Sequence, residues 1–307
     1  MFLVVVTMNW IKSRLGESAV LLSAVLWGSI GIFTRALNQI GFSAVQIVAV
    51  RAIITALTMA VFLALKDPKL FKIKLRDLWM FFGTGICSFL FFNICYMSSI
   101  GENSLSVACI LMYTSPIWVT TLAVPLFKEK LTKQKLLAFA ICFSGCVAIC
   151  LSDTLRITNK GLAFGLLSGL GYALYSVFGK YASAKYHTMT VTFYTFLFAS
   201  AGVLPLCNLP HLTSLLSSGS NLLWSIGVAV TCTVLPYLLY TFGLSKIGAS
   251  KASVVSILEP AVASLVGIVC FDEKLGITGL IGIIAVMSGL IFLETGNPFQ
   301  QTKAIEK

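Results

Sequence analysis

The sequence predicts an all-α integral membrane protein, with ten transmembrane helices forming two inverted five-helix repeats. Three observations carry this. Charged residues make up only 11% of the 307 residues and hydrophobic ones 58%, where a soluble domain carries about 25% charge. The charges cluster between long apolar runs. The second half of the chain repeats the first.

So few charged groups cannot clothe a water-facing surface, so lipid must face most of it. A hydrocarbon core about 30 Å thick needs roughly 20 apolar helical residues. Uncharged runs of about this length are Ser18–Thr34, Leu78–Gly101, Asn103–Phe127, Leu136–Ser152, Gly161–Gly179, Leu222–Ser245 and Leu275–Leu293. The stretch Tyr186–Ser245 has no charge and divides at the polar segment Asn208–Asn221, which separates two spans. Two further spans carry one charge each: Ser43–Leu65 with Arg51, and Ala252–Phe271 with Glu259. Runs this long fit helices and not barrel strands of about ten residues.

The net charge of +11 reads as positive-inside bias rather than as a nucleic-acid surface. With both termini cytoplasmic, 17 of the 22 Lys and Arg residues lie on cytoplasmic segments. Arg35, Arg156, Lys160 and Lys274 lie on the opposite face. Met1–Thr7 is apolar but precedes the basic residues, unlike a signal peptide; Met8 is an alternative start. Of the nine cysteines, Cys142, Cys146 and Cys150 share one helix face without a His or carboxylate, which predicts packing and no metal.

At an offset of 144, Tyr96, Ser106, Ala108, Pro116, Phe127, Glu129, Lys130 and Leu131 fall on Tyr240, Ser250, Ala252, Pro260, Phe271, Glu273, Lys274 and Leu275. At an offset of 145, Trp27 falls on Tyr172 and Phe33 on Phe178. Five spans per half is an odd number, so the second half enters the membrane from the other side, as in many secondary transporters. The expected organisation is a cytoplasmic segment 1–16, a first repeat 17–152, a second repeat 160–294 and a cytoplasmic tail 295–307.

Several residues carry a resemblance. They are Ala24-Val25-Leu26-Trp27-Gly28, Arg51, Pro116 with Phe127-Lys128-Glu129-Lys130-Leu131, and Leu258-Glu259-Pro260 with Phe271-Asp272-Glu273-Lys274-Leu275. Their order and spacing resemble EamA-domain members of the drug/metabolite transporter superfamily over roughly residues 17–293. The chain departs from internal symmetry at Ser115, where the second half has Glu259. The resemblance implies a cavity between the halves and transport of small organic solutes, frequently amino acids and often outward, across a bacterial inner membrane.

A buried ionisable group costs about 2.5–3.5 kcal/mol on insertion scales, so it has a partner or lines a wet cavity. Glu259 is expected to bind a cationic group or a proton, and Arg51 a carboxylate; helix packing with backbone partners is the alternative for each. Trp27, Tyr96, Tyr113, Tyr172, Tyr175 and Tyr240, with Asn93 and Ser256, are candidates to line the cavity; core packing is the alternative reading. Pro116, Pro236 and Pro260 free a carbonyl one turn earlier and mark kinks or hinges. Gly161, Gly165 and Gly169 allow close helix approach, in the bundle or at a weak dimer seam.

No phosphate-binding loop, metal cluster or nucleophile–base arrangement is present in the sequence, so no cofactor and no catalytic residue is expected. The expected partners are a small-molecule substrate, membrane lipids and a coupling proton or ion. The competing readings are a channel or solute-binding membrane protein, and a lipid-modifying enzyme.

Overall fold

The computed structural model describes residues 2–103, 105–150, 157–272 and 276–294. The motif residues Glu273, Lys274 and Leu275, the ends of the first repeat at 151–152, Arg156 and the tail 295–307 lie outside the described residues. The described residues are helical, with no strand among them.

Among the described residues, nine helices are long and apolar enough to cross a membrane. We number them α1 (Ser13–Ile40), α2 (Ala44–Lys66), α3 (Leu75–Glu102), α4 (Val107–Phe127), α5 (Lys133–Cys150), α6 (Asn159–Ser183), α7 (Thr188–Leu206), α8 (Gly219–Lys246) and α9 (Ala249–Phe271). The shorter apolar helix Ile277–Leu293 is α10. Most spans run past the uncharged runs, because helix continues through flanking charges until a cap or turn stops it. Helical backbone upstream of α1 reaches Phe2. At the start of α2, Ser43 and Gln46 form a capping box, which satisfies two otherwise orphaned N–H groups.

The two halves interlock instead of folding as separate bodies. The strongest packing pairs join them: α5 with α10, α3 with α6, α1 with α8, and α2 with α7. The α5–α10 crossing shows the pseudo-twofold in detail. A side chain at Gly145 would meet the Gly282 carbonyl and Val286, and one at Gly289 would meet the Ala138 carbonyl and Cys142. These contacts interchange under the offset of 144. Cys142 thus serves packing, as its spacing suggested. A second pair is equally reciprocal. The Phe33 ring covers Gly227 and touches Trp224 edge-on, while Phe178 covers Gly83 and touches Trp79 edge-on.

Irregular backbone also recurs at matched places. A π-helical stretch occupies Gly83–Leu90 of α3 and Val230–Val234 of α8. The described residues have two non-glycine residues at positive φ, Lys128 (53°) and Asp272 (52°), and both close matched helices. α4 and α9 break into half-helices just before their prolines, at Tyr113-Thr114 and Ser256-Ile257. There the N–H groups of Thr114 and Ile257 reach back only three residues, to Leu111 and Val254. The expected kink at Pro116 and Pro260 is therefore a full break with the proline in the first turn of the next half-helix. Pro236 breaks nothing; it opens the second α-helical part of α8, Leu235–Lys246, directly after the π-helical stretch.

Candidate functional site

The site grows from the two breaks and the two π-helical stretches, which meet where the halves cross. Trp27 of α1 lies among three tyrosines, with ring centroids 6.3 Å from Tyr172, 5.2 Å from Tyr237 and 5.4 Å from Tyr240. Tyr175 stands 5.0 Å from Tyr237. Phe92 bridges outward, 5.3 Å from Tyr172 and stacked 5.8 Å from Tyr96. These edge-on and offset contacts suit the ring quadrupoles. The cavity at this junction is narrow in this conformation, about 10 Å³, and Ser88, Phe89 and Phe92 complete its wall. That is room for about one water.

Two opposite charges flank the ring cluster. Glu259 sits in the first turn of the half-helix Leu258–Phe271, where the helix dipole favours a negative group. Its Oε2 accepts from the Tyr172 hydroxyl at 3.3 Å, and Tyr113 stands beside the same carboxyl. Gly28 lets α1 come close enough that any side chain there would strike the Glu259 carbonyl and Val262. The Trp27-Gly28 and Glu259-Pro260 motifs therefore belong to one contact.

Arg51 reaches in from α2. It is buried at 8% exposure. Its Nε donates to Thr233 Oγ1 at 3.0 Å, and its guanidinium carbon lies 5.6 Å from the Phe89 ring centroid. Its two terminal nitrogens have no hydrogen-bond partner among the described residues. Arg51 and Glu259 are near enough to feel each other's charge, yet form no ion pair among the described residues.

Of the candidates, Trp27, Arg51, Tyr113, Tyr172, Tyr175, Tyr240 and Glu259 converge here, and Tyr96 joins through Phe92. Ser256 lies beside Tyr172, with its hydroxyl donating to the Ser253 carbonyl. Asn93 is buried and turned onto its own helix, its Nδ2 donating to the Phe89 carbonyl at 2.7 Å. Sequence reasoning missed Tyr237, Phe89, Phe92 and Thr233. The signal existed: Phe89 falls on Thr233 and Asn93 on Tyr237 at the offset of 144, and Tyr237 adjoins Pro236 one turn from Tyr240.

The EamA-like transporter family matches residues 14–151 and 159–295. The chain belongs to that family. This EamA-like chain is 30% identical to an uncharacterized transporter of Archaeoglobus fulgidus, over 92% of this chain and 98% of that one. It is 26% identical to the uncharacterized transporter YxxF of Bacillus subtilis, covering 91% and 90% of the two chains. It is 24% identical to the uncharacterized inner membrane transporter YicL of Salmonella typhimurium, covering 92% and 96%. A crystal structure only 15% identical superposes with a TM-score of 0.77, over 91% of this chain and 96% of that one, which shows the shared fold. The chain is thus a multi-pass membrane protein of a transporter family.

Polar ties cross the basic end of the site. Ser176 Oγ and the Tyr240 hydroxyl share a 2.8 Å hydrogen bond, and Tyr175 and Thr241 one of 2.6 Å. One turn further, Lys180 Nζ donates to the Leu244 and Ile247 carbonyls. Glu129 caps α9, its oxygens accepting from the Ala249 and Ser250 N–H groups at 2.7 and 3.2 Å. Glu17 and Lys251 form a buried ion pair between α1 and α9. At the other end α4 and α9 diverge: the half of α4 before its break packs on α6 and the half of α9 after its break on α1.

Proposed function

We propose that this protein is a secondary transporter that carries a small organic solute bearing both a carboxylate and a cationic amine, such as an amino acid, by alternating access. The observation that carries the reading is the Arg51–Glu259 arrangement. A guanidinium fork with free donors lies against Phe89 and a carboxylate against Tyr172, two residues in the wall of one narrow cavity, without pairing with each other. The fork suits a carboxylate bidentately. Glu259 suits an ammonium group or a proton, and the rings between them suit the apolar part of the solute.

In this reading both termini are cytoplasmic, the basic end faces the cytoplasm of a bacterial inner membrane, and the described conformation is closed on that side. Moving the half-helices of α4 and α9 about their breaks exchanges closure between the two ends. Net movement is outward, and a proton on Glu259 couples to it.

Counterflow in proteoliposomes tests this. Vesicles preloaded with unlabelled amino acid take up the labelled form, and the exchange is lost in Arg51→Ala. Exchange at the wild-type rate by both Arg51→Ala and Glu259→Gln would remove the assignment of these residues as the cargo site.

A further inference from the structure

The loop joining α2 to α3 carries the alternation Lys72-Ile73-Lys74-Leu75-Arg76. Lys72 and Lys74 have extended backbone, in which successive side chains point to opposite sides. The apolar member Ile73 packs toward Met80, Phe81, Ala182 and Val191. The exposed cations line a pocket of about 520 Å³ together with Ile73, Asp77, Lys185 and Tyr186, within the ordinary range for small-molecule sites.

Charge in this pocket is unbalanced. Its one carboxylate, Asp77, is buried and already engaged, by Lys185 Nζ at 2.9 Å and the Tyr186 hydroxyl at 2.7 Å. Lys72, Lys74 and Arg76 have no carboxylate within 4 Å among the described residues. Positive-inside bias scatters cations over loops; it does not require them to gather around one cavity whose carboxylate is already engaged. The pocket also sits at the lipid boundary. Leu75 is 82% exposed and Trp79 46%, and Trp79 packs edge-on to Phe178 and Tyr181, as in an interfacial aromatic belt.

We infer that Lys72, Lys74 and Arg76 form a site for the phosphate headgroup of an anionic phospholipid, with Leu75 and Trp79 against its acyl chains. On the orientation proposed above it lies in the cytoplasmic leaflet, where anionic lipids attract basic segments. The site joins the α2–α3 loop to the α6–α7 loop, so a bound lipid ties the two halves together away from the cargo cavity. The inference stands on the pocket and its charge, whatever the cargo.

The test uses the full chain in neutral detergent, with thermal melting and native mass spectrometry against added lipid. Phosphatidylglycerol is expected to raise the melting temperature and remain bound, and phosphatidylcholine to do neither. The variant K72Q/K74Q/R76Q is expected to bind phosphatidylglycerol at least about tenfold more weakly, since each surface cation contributes about 1 kcal/mol to such binding. The charge-preserving variant K72R/K74R/R76K controls for folding and keeps the response, as does K128Q/K130Q, which removes cations elsewhere at the basic end. Equal responses to the two lipids, or an unchanged response in K72Q/K74Q/R76Q, would overturn the site. So would a matching loss in K128Q/K130Q. A shift by glycerol phosphate as large as that by phosphatidylglycerol, and lost in the same variant, would overturn the lipid and assign a soluble phosphate ester instead.

Discussion

Glu259 occupies a place where a carboxylate costs least inside a membrane. The first turn of a half-helix offers unpaired N–H groups and the positive end of the dipole, and the Tyr172 hydroxyl adds a direct donor. Ser115, at the matched position of the first half, is buried and has no charge to place. The carboxylate and Tyr172 thus come from the second half, and Tyr113 beside them from the first. Arg51 is held by a single bond through Nε, so the fork at its end is free for a ligand. Arg51→Lys should therefore weaken a carboxylate solute by at least about tenfold, or ~1.4 kcal/mol, because an ammonium cannot reproduce the bidentate geometry. Competition binding with the solute and its amide measures this: the variant should lose its preference for the acid. Glu259→Gln should lose instead the preference for amines over their uncharged analogues, measured by the same competition.

At the scale of elements, glycine decides which helices can meet. Gly145 and Gly289 bring α5 and α10 to backbone contact. Gly145→Ala places a methyl group against the Gly282 carbonyl and Val286, which cannot rotate away. Overpacking of this kind costs about 1–3 kcal/mol, and a clear fall in melting temperature should follow. Gly31, with nothing within 4 Å of an added Cβ, is the control: Gly31→Ala should be neutral or stabilise by roughly 0.5–1 kcal/mol through helix propensity. The glycines at 161, 165 and 169 work as their spacing indicates, packing α6 against Asn103, Leu111 and Thr114 inside the bundle.

For the whole molecule, the proposed cycle makes closure at the basic end depend on a few polar ties, which part when that end opens. Glu17 and Lys251 are both buried. Lys251→Gln leaves Glu17 with Ser13 Oγ at 2.8 Å and Arg14 at 3.5 Å, so the cost falls below the about 3–5 kcal/mol of a fully stranded buried charge. Lys251→Gln should lower the melting temperature and slow exchange, whereas the swap Glu17→Lys with Lys251→Glu should recover much of both. Recovery in the swap, read by melting and counterflow together, separates a pair that closes the end from a residue that merely fills space. Glu129→Gln keeps one acceptor for the α9 N-terminus but loses the charge; it should favour opening at this end, seen as faster alkylation of a cysteine placed at Ser176 in a cysteine-free background.

The sequence by itself determined the spans, because lipid admits backbone only as helix or closed barrel and the apolar runs are too long for strands. It also determined the duplication, through the offset near 144, and it named Trp27, Tyr172, Arg51 and Glu259 from repeat symmetry and from the cost of intramembrane charge. Only the tertiary structure decided that Trp27 touches Tyr172, Tyr237 and Tyr240, that Gly28 abuts Glu259, and that Asn93 turns away onto its own helix. The reason is physical. Helix periodicity is blurred when every face is apolar, since lipid and core select the same residues. Which face meets which neighbour then depends on small residues and backbone irregularities, such as the π-helical stretches and the breaks before Pro116 and Pro260, whose consequences appear only when the two halves are packed together.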